Sequence, residues 1–582
     1  MKTERRFQGV GVSPGIARGT AFVHRPYDDL PPRWSVPPGE VERELARLHH
    51  ALAVTRRQII ELQEKVEKAL GAKDAAIFEA HLMVVEDGVL IDEVEKTLRR
   101  DHCNAEHAFS QVIHRYIKSL GEVDDPYLRE RALDIHDVGR RVIHNLLGRE
   151  PVGFANLESP QVVIAHTLTP GDTVQANRSL LLGFATEAGG RTSHTAIMAR
   201  SLNIPAVVGL HGVMDEIEAG AEVLLDGYGG LLIVNPTEQS LYEYGSLETR
   251  KKLVEQELIG LRGTESTMLD GRHLVLSANI EQTNDIEQVR LSGAEGVGLF
   301  RTEFLYFNRN DLPDEAEQLA SYRSVAEALR PNAVIIRTID LGGDKLHNGI
   351  APGDEENPFL GWRAIRVCLE RRDLFKTQIR AILRASTTGT VKLMFPMISG
   401  IAELRQAKAV LDECRDDLRR EGIAFDEKME VGIMIEVPSA AITADLLAKE
   451  VSFFSLGTND LVQYAVAVDR TNERIAHLYE PTHPAVLRLI KTTIDAAHAA
   501  GIWVGLCGEM GGDIALTPLL IGLGVDELSC GASVLPRVKR AVRSLDLAVC
   551  QALACEALKA DTGAQVLQKC EEIARGRYPE LL

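Results

Sequence analysis

A chain of 582 residues exceeds what one hydrophobic core can organise, so several structural units are expected. With 45% hydrophobic and 26% charged residues it has the balance of a globular protein, which excludes a disordered or fibrous one. The formal net charge of −19 argues against nucleic acid as a partner, because phosphate backbones bind through clustered Lys and Arg, but not against small phosphorylated molecules held by a few arginines in a cleft.

Met1 to Gly19 carries scattered charge and no apolar run that would form a signal-peptide core, and no later stretch offers 18 uncharged apolar residues for a membrane span. A cytoplasmic protein without membrane insertion is therefore expected. The eight cysteines show no CxxC pair, zinc spacing or dense cluster and read as reduced thiols. A short β-branched run, Thr20 to His24, precedes a change of period. From Val41 to Ala69 apolar or small residues recur in alternating steps of four and three, at Val41, Leu45, Leu48, Leu52, Thr55, Ile59, Leu62, Val66 and Ala69, which is the seam of a packed helix. Helical patterning continues through Ala75 to Val85, Val89 to Arg99, Ala105 to Leu120 and Tyr127 to Leu147. Residues 38–148 therefore read as a helical bundle, closed within the chain by short links in preference to a coiled-coil dimer.

Short strand-like runs return at Val162 to Ala165, Leu180 to Phe184, Ala206 to Val208 and Glu222 to Asp226, with Gly-rich turns and one helix, Thr195 to Ser201. Residues 1–37 and 149–235 thus form one α/β domain into which the bundle is inserted. Residues 236–263 are charged and helical, with scattered leucines, and read as a linker helix. From 264 to 582 eight apolar runs follow, Leu274 to Ala278, Gly296 to Phe300, Val334 to Ile339, Val391 to Met397, Val431 to Val437, Phe453 to Leu456, Ile502 to Leu506 and Val525 to Leu528, nearly all separated by helical spacers. Eight such alternations are the arithmetic of a (β/α)8 TIM barrel, with a doubly wound open sheet as runner-up. A barrel places its active site at the C-terminal strand ends, where Asn279, Arg301, Arg337, Glu436, Asn459, Asp460 and Cys507 accumulate.

Arg301 follows an apolar run and Arg337 interrupts one, so each needs a counter-charge. Guanidinium forks match phosphate and carboxylate oxygens bidentately; a buried Arg-to-Glu ion pair is the alternative partner. Glu436 and Asp460, on neighbouring strand ends, supply two carboxylates, which together with substrate and water oxygens suit Mg²⁺, and no Cys and His spacing indicates zinc. Cys507 is expected at the same rim, where a positioned thiol can protonate an enolate carbon after a phosphoryl group has left. In the α/β domain, Gly189-Gly190-Arg191-Thr192-Ser193-His194 makes a Gly-rich turn opening a helix. Free N–H groups there favour an anion, and His194 is placed as a nucleophile.

These residues sit in longer motifs: Ser13-Pro14-Gly15-Ile16-Ala17, Gly-Gly-Arg-Thr-Ser-His-Thr-Ala-Ile-Met-Ala-Arg (189 to 200), Gly-Leu-Phe-Arg-Thr-Glu-Phe-Leu (298 to 305), Arg-Thr-Ile-Asp-Leu-Gly-Gly-Asp-Lys (337 to 345), Gly-Ile-Met-Ile-Glu-Val-Pro (432 to 438), Leu-Gly-Thr-Asn-Asp-Leu (456 to 461) and Leu-Cys-Gly-Glu-Met (506 to 510). In this order they resemble Enzyme I of the bacterial sugar phosphotransferase system, the phosphoenolpyruvate–protein phosphotransferases, along nearly the whole chain. The resemblance implies that His194 is phosphorylated at Nε2, with Thr173 orienting its ring. It implies that Arg301, Arg337, Asn459, Asp460 and Arg470 bind phosphoenolpyruvate, that Glu436 and Asp460 hold Mg²⁺, and that Cys507 is the proton donor. It also implies that the bundle docks the carrier protein HPr through Ile77 to Asp87 and the helix after Tyr127, and that the barrel forms a homodimer. Met510-Gly511 departs from the Leu-Ala common in the family. A regulatory, nitrogen-branch phosphorelay protein is the alternative function, and a pyruvate phosphate dikinase is disfavoured because the first 150 residues lack a strand-flanked, Gly-rich phosphate loop.

Overall fold

A computed structural model of the chain describes residues 3–24, 31–70, 77–121, 126–148, 157, 159–168, 180–190, 196, 199–200, 204–306, 311–342, 357–470, 472 and 474–582. They fall into two units, Met1–Arg250 and Lys251–Leu582. No helix among them is long and apolar enough to cross a membrane.

The first unit carries eight strands: β1 (Arg5–Gln8), β2 (Val10–Ser13), β3 (Ile16–His24), β4 (Gln161–Ala165), β5 (Leu181–Thr186), β6 (Ala206–Val208), β7 (Glu222–Asp226) and β8 (Leu231–Val234). They form one sheet in the order β1-β8-β7-β3-β4-β5-β6-β2. Its centre, β3 through β6, is parallel, and the flanking pairs are antiparallel. Alternate residues of β4 enter opposite cores: Val162 and Ile164 join Val207 and Leu225, while Val163 and Ala165 join Phe184 and Val208. Burial on both faces explains why this strand reads as a continuous apolar run. Gly227 lies where a Cβ would stand 2.0 Å from the Ser13 carbonyl oxygen, so only a glycine lets the two segments approach.

Between β3 and β4 the chain builds helices Val41–Leu70, Ile77–Val85, Gly88–Asp101, Ala105–Gly121 and Pro126–Leu146. They share a core in which Val41, Leu45, Leu48, Leu52, Ile59 and Leu62 are buried, so the seam of the first helix is spent inside the chain. Thr55, in that seam, satisfies its hydroxyl by donating to the Ala51 carbonyl at 2.8 Å and accepting from Asn145 Nδ2 at 2.8 Å. Asp87 caps Gly88–Asp101 by accepting from the N–H groups of Val89 and Leu90.

A helix over Glu238–Gly260 follows β8. Its start is fastened to the residue before β1: the Glu4 carboxylate accepts from Thr237 N–H at 2.7 Å, from the Thr237 hydroxyl at 2.9 Å and from the Ser240 hydroxyl at 2.7 Å. These bonds, the Thr237 N–H foremost and the Ser240 hydroxyl next, bring the Glu4 pKa down to about 2.

The second unit contains β9 (Val275–Ile280), β10 (Gly296–Phe300), β11 (Ala333–Arg337), β12 (Thr390–Phe395), β13 (Val431–Ile435), β14 (Phe453–Leu456), β15 (Trp503–Leu506) and β16 (Glu527–Gly531). All pair in parallel with their sequence neighbours, and β16 returns to β9 to close the barrel. This is the TIM barrel expected, and the open-sheet alternative is excluded. The third strand ends earlier than its apolar run: Arg337 is its last residue, not an interruption. Inside, Leu299, Ile335, Met394, Met434, Phe453 and Cys507 form one apolar cluster. In it Phe453 stacks on Trp503 with ring centroids 4.6 Å apart, and Lys392 Nζ lies 4.6 Å from the Trp503 ring.

Candidate active site

The barrel side chains singled out in the sequence, Arg470 apart, lie at or near strand ends. Arg301 follows β10, Arg337 ends β11, Glu436 follows β13, and Cys507 follows β15. Asn459 and Asp460 open the helix Thr458–Val466 just after β14. Together with Arg470 they line a single cavity of about 240 Å³. Its wall also includes Asp340, Arg363 and Glu509, which the sequence reading did not single out.

Arg337 is buried, and its guanidinium meets Glu303 Oε1 at 2.9 Å and Asp340 Oδ2 at 3.0 Å. Burial works against its charge, but Glu303 and Asp340 outweigh it and keep the group firmly protonated. The Arg-to-Glu pair considered as an alternative is thus present, within a longer alternating chain. Glu303 Oε1 also accepts from Asp340 N–H at 2.8 Å, and Arg363 Nη2 meets Asp340 Oδ1 at 2.8 Å. Burial raises the Asp340 carboxyl, yet Arg337 and Arg363 together hold it below its ordinary value. Arg363 Nη2 then lies 3.7 Å from Asp460 Oδ2, and Arg470 Nη2 lies 3.7 Å from Asp460 Oδ1.

Glu436 is 2% exposed and accepts from Met397 N–H at 2.6 Å. Burial, then repulsion from Asp460 and Asp340, push its pKa to about 8, and burial raises Asp460 as well. Two buried carboxylates that oppose each other's ionisation are a donor set that a divalent cation relieves. Among the described residues no three His, Cys, Asp or Glu side chains are grouped to hold a metal by themselves, so other oxygens would complete a shell. The residues present therefore fit Mg²⁺ in the number and chemistry of their oxygens. Gly457 backs this pair, since a Cβ there would stand 2.8 Å from Glu436 Oε2.

The Cys507 thiol is buried and raised to about 11, so it is protonated at neutral pH. Its N–H donates to the Leu456 carbonyl at 3.1 Å, and its own carbonyl accepts from Asn279 Nδ2 at 3.0 Å. Arg301 is half-exposed and paired with Glu281 at 2.5 Å. Asn459 Nδ2 donates to Glu509 Oε1 at 3.1 Å, and the Glu509 N–H donates to Asn459 Oδ1 at 2.8 Å.

In the first unit, His194 and Thr173 lie outside the described residues, as do Thr195, Ile197, Met198 and Ser201 of the expected helix Thr195 to Ser201. The approach to them is described. Glu187 N–H donates to the Ala165 carbonyl at 3.1 Å and Ala188 N–H to the His166 carbonyl at 2.9 Å, which anchors the chain at the carboxyl ends of β4 and β5. Gly189 then takes φ +110°, a conformation that favours glycine.

Of the pocket residues that the sequence reading passed over, Asp340 lies three positions after Arg337, inside a quoted motif. Arg363 follows a 3-10 turn, Pro358–Leu360, with no strand before it. No strand-end rule reaches such a residue.

Three family models match the chain: "PEP-utilising enzyme, N-terminal" over residues 8–131, "PEP-utilising enzyme, mobile domain" over 157–230 and "PEP-utilising enzyme, PEP-binding domain" over 256–547. Proteins named phosphoenolpyruvate-protein phosphotransferase are similar along almost their whole length. The one from Staphylococcus carnosus is 43% identical over 98% of this chain and 99% of its own. That of Priestia megaterium is 46% identical over 94% and 95%, and that of Haemophilus influenzae 43% identical over 97% and 98%. An arginine and carboxylate pocket at the rim of a barrel, in a chain matched end to end by these relatives, leaves one assignment: the chain belongs to the phosphoenolpyruvate-protein phosphotransferase family.

Proposed function

We propose that the chain takes the phosphoryl group of phosphoenolpyruvate onto Nε2 of its own His194, releases pyruvate, and passes the phosphoryl group to a histidine of HPr, the first step of a sugar phosphotransferase system. The observation that carries this reading is the barrel cavity in which Arg301, Arg337, Asn459, Asp460, Arg470, Glu436 and Cys507 converge. Phosphoenolpyruvate offers a phosphate and a carboxylate on one small frame, and guanidinium forks suit both. Arg301, Arg337 and Arg470 bind those oxygens, with Asn459 as a neutral donor. Glu436 and Asp460 hold Mg²⁺, which when bound draws negative charge from the substrate oxygens. Cys507 delivers a proton to the enolate carbon, and its high pKa keeps that proton in place at neutral pH. Thr173 orients the His194 ring.

We assign residues 1–37 and 149–235 to the phosphohistidine domain, 38–148 to the HPr-binding insertion, 236–263 to the linker and 264–582 to the barrel domain. In-line transfer brings imidazole and phosphorus within about 3 to 3.5 Å. The same imidazole must later face HPr, so the phosphohistidine domain swings about the linker. Met83 and Val89, both exposed at the second and third bundle helices, support docking of HPr there. Ile442 and Leu446, exposed four residues apart after β13, support a homodimer through the barrel. Eight free cysteines support a cytoplasmic location.

Mass spectrometry after incubation with phosphoenolpyruvate and Mg²⁺ tests the reading: one phosphate on His194 is expected, and its absence overturns the proposal. Transfer onward to HPr, compared with a nitrogen-branch homologue, identifies the acceptor.

A further inference from the structure

We infer that Ser455 is a positioning residue for proton delivery, whose hydroxyl aims the Cys507 sulfur and holds it by a hydrogen bond after the proton has left. The inference rests on Cys507 being the proton donor.

Ser455 lies on β14, between Phe453 and the strand end, and is 2% exposed. A hydroxyl buried there needs a polar partner. It finds one in the sulfur: Ser455 Oγ donates to Cys507 Sγ at 3.2 Å. Leu299, Ile335, Met394, Met434 and Phe453 cluster with Cys507, which also lines the cavity that holds Arg301, Arg337 and Glu436. Its own proton faces the Leu456 carbonyl at 3.7 Å, a weak acceptor contact that leaves the proton available. The backbone of Cys507 is held separately. Asn279 Nδ2 donates to its carbonyl, and Ser529 Oγ donates to Asn279 Oδ1 at 2.6 Å. The one side-chain hydrogen bond described at the sulfur therefore belongs to Ser455.

When the enolate is protonated, its electron pair forms the new C–H bond at the methylene carbon. The S–H bond breaks, its pair stays on sulfur as a thiolate, and a proton from water restores the thiol for the next turnover. A buried thiolate is costly unless something compensates it. Arg337 and Arg301 act on it through space, and Glu436 opposes them. Ser455 supplies the contact. A hydrogen bond to a charged group is worth about tenfold or more in an equilibrium, so losing it should raise the thiol's titration midpoint and slow the protonation step by about that factor.

The test uses the full chain with Ser455→Ala, Ser455→Thr and Cys507→Ala. Alkylation of Cys507 by iodoacetamide, followed by mass spectrometry of its peptide across pH, should shift upward by about one unit in Ser455→Ala and return in Ser455→Thr. Stereospecific deuterium entry into the pyruvate methyl group should slow about tenfold in Ser455→Ala, with KM for phosphoenolpyruvate unchanged. An unshifted alkylation profile, or a shifted profile with an unslowed protonation step, overturns the inference. If Cys507→Ala also protonates at the normal rate, the failure lies with the donor assignment; a slow Cys507→Ala beside a normal Ser455→Ala condemns the role of Ser455 alone.

Discussion

Asn459 and Glu509 hold each other by two reciprocal hydrogen bonds, 3.1 Å and 2.8 Å long, across the mouth of the barrel cavity. The second uses the backbone N–H of Glu509, two residues after Cys507, so Asn459 ties the β14 end to the β15 end. Asn459→Ala removes both bonds and leaves that N–H without its acceptor. KM for phosphoenolpyruvate should rise about tenfold, with the far-ultraviolet circular dichroism unaltered. An unchanged KM would make the pair purely structural.

Gly457 sits behind the acidic pair. Its missing Cβ would meet Glu436 Oε2 at 2.8 Å, Glu436 Cβ at 2.9 Å and Met434 Cγ at 2.9 Å. Gly457→Ala should displace the carboxylate and weaken Mg²⁺ activation by about 10- to 100-fold, the usual effect of disturbing a ligand's support. A Mg²⁺ titration of pyruvate release reads it.

Asp340 neutralises two cations at once, the buried Arg337 at 3.0 Å and the partly buried Arg363 at 2.8 Å. Asp340→Asn keeps the shape and removes the charge, leaving both guanidinium groups short of a partner. Breaking a buried pair in this way destabilises by about 3 to 5 kcal/mol. Urea unfolding of the barrel unit should show a loss of that order; a loss below about 1 kcal/mol would mean that Glu303 and Asp460 take over its role.

Glu4 gives the first unit a pH dependence with a definite sign. Its folded pKa of about 2 lies below the ordinary 4.5, so the folded state favours the ionised carboxylate. The stability it contributes is fully present above about pH 4.5 and is lost as pH falls through about 2. Thermal melts of the unsubstituted chain and of Glu4→Gln should differ at pH 5 and converge as the acid limit is approached, which differential scanning calorimetry can follow.

The barrel was legible because parallel strands buried on both faces leave uninterrupted apolar runs. β10 and β14 have the limits their runs suggested. Where a polar group belongs to the strand the limit slipped, as at Arg337, whose burial is made possible by Glu303, distant in the sequence, and by Asp340, three positions on. In the first unit, β1, β2 and β8 were not anticipated. Each has four residues, too few to display a period, and β1 has a charged start on the sheet edge. The strand-end rule located Arg301, Glu436, Asn459, Asp460 and Cys507 at the cavity. It missed Arg363, held there by pairing with Asp340 across distant chain, and Ser455, which points inward before its strand ends.

The cavity's acidic and basic groups are matched in number. Among the described residues, four guanidinium groups (Arg301, Arg337, Arg363 and Arg470) and four carboxyl groups (Asp340, Glu436, Asp460 and Glu509) line it. An arriving anion that engages Arg337 competes with Glu303 and Asp340, which already hold that guanidinium. The released carboxylate then needs a new counterion, and a dication arriving with the anion supplies one. At Arg337 binding is thus an exchange of ions, which favours a ligand that brings charge to swap over a neutral molecule of the same shape.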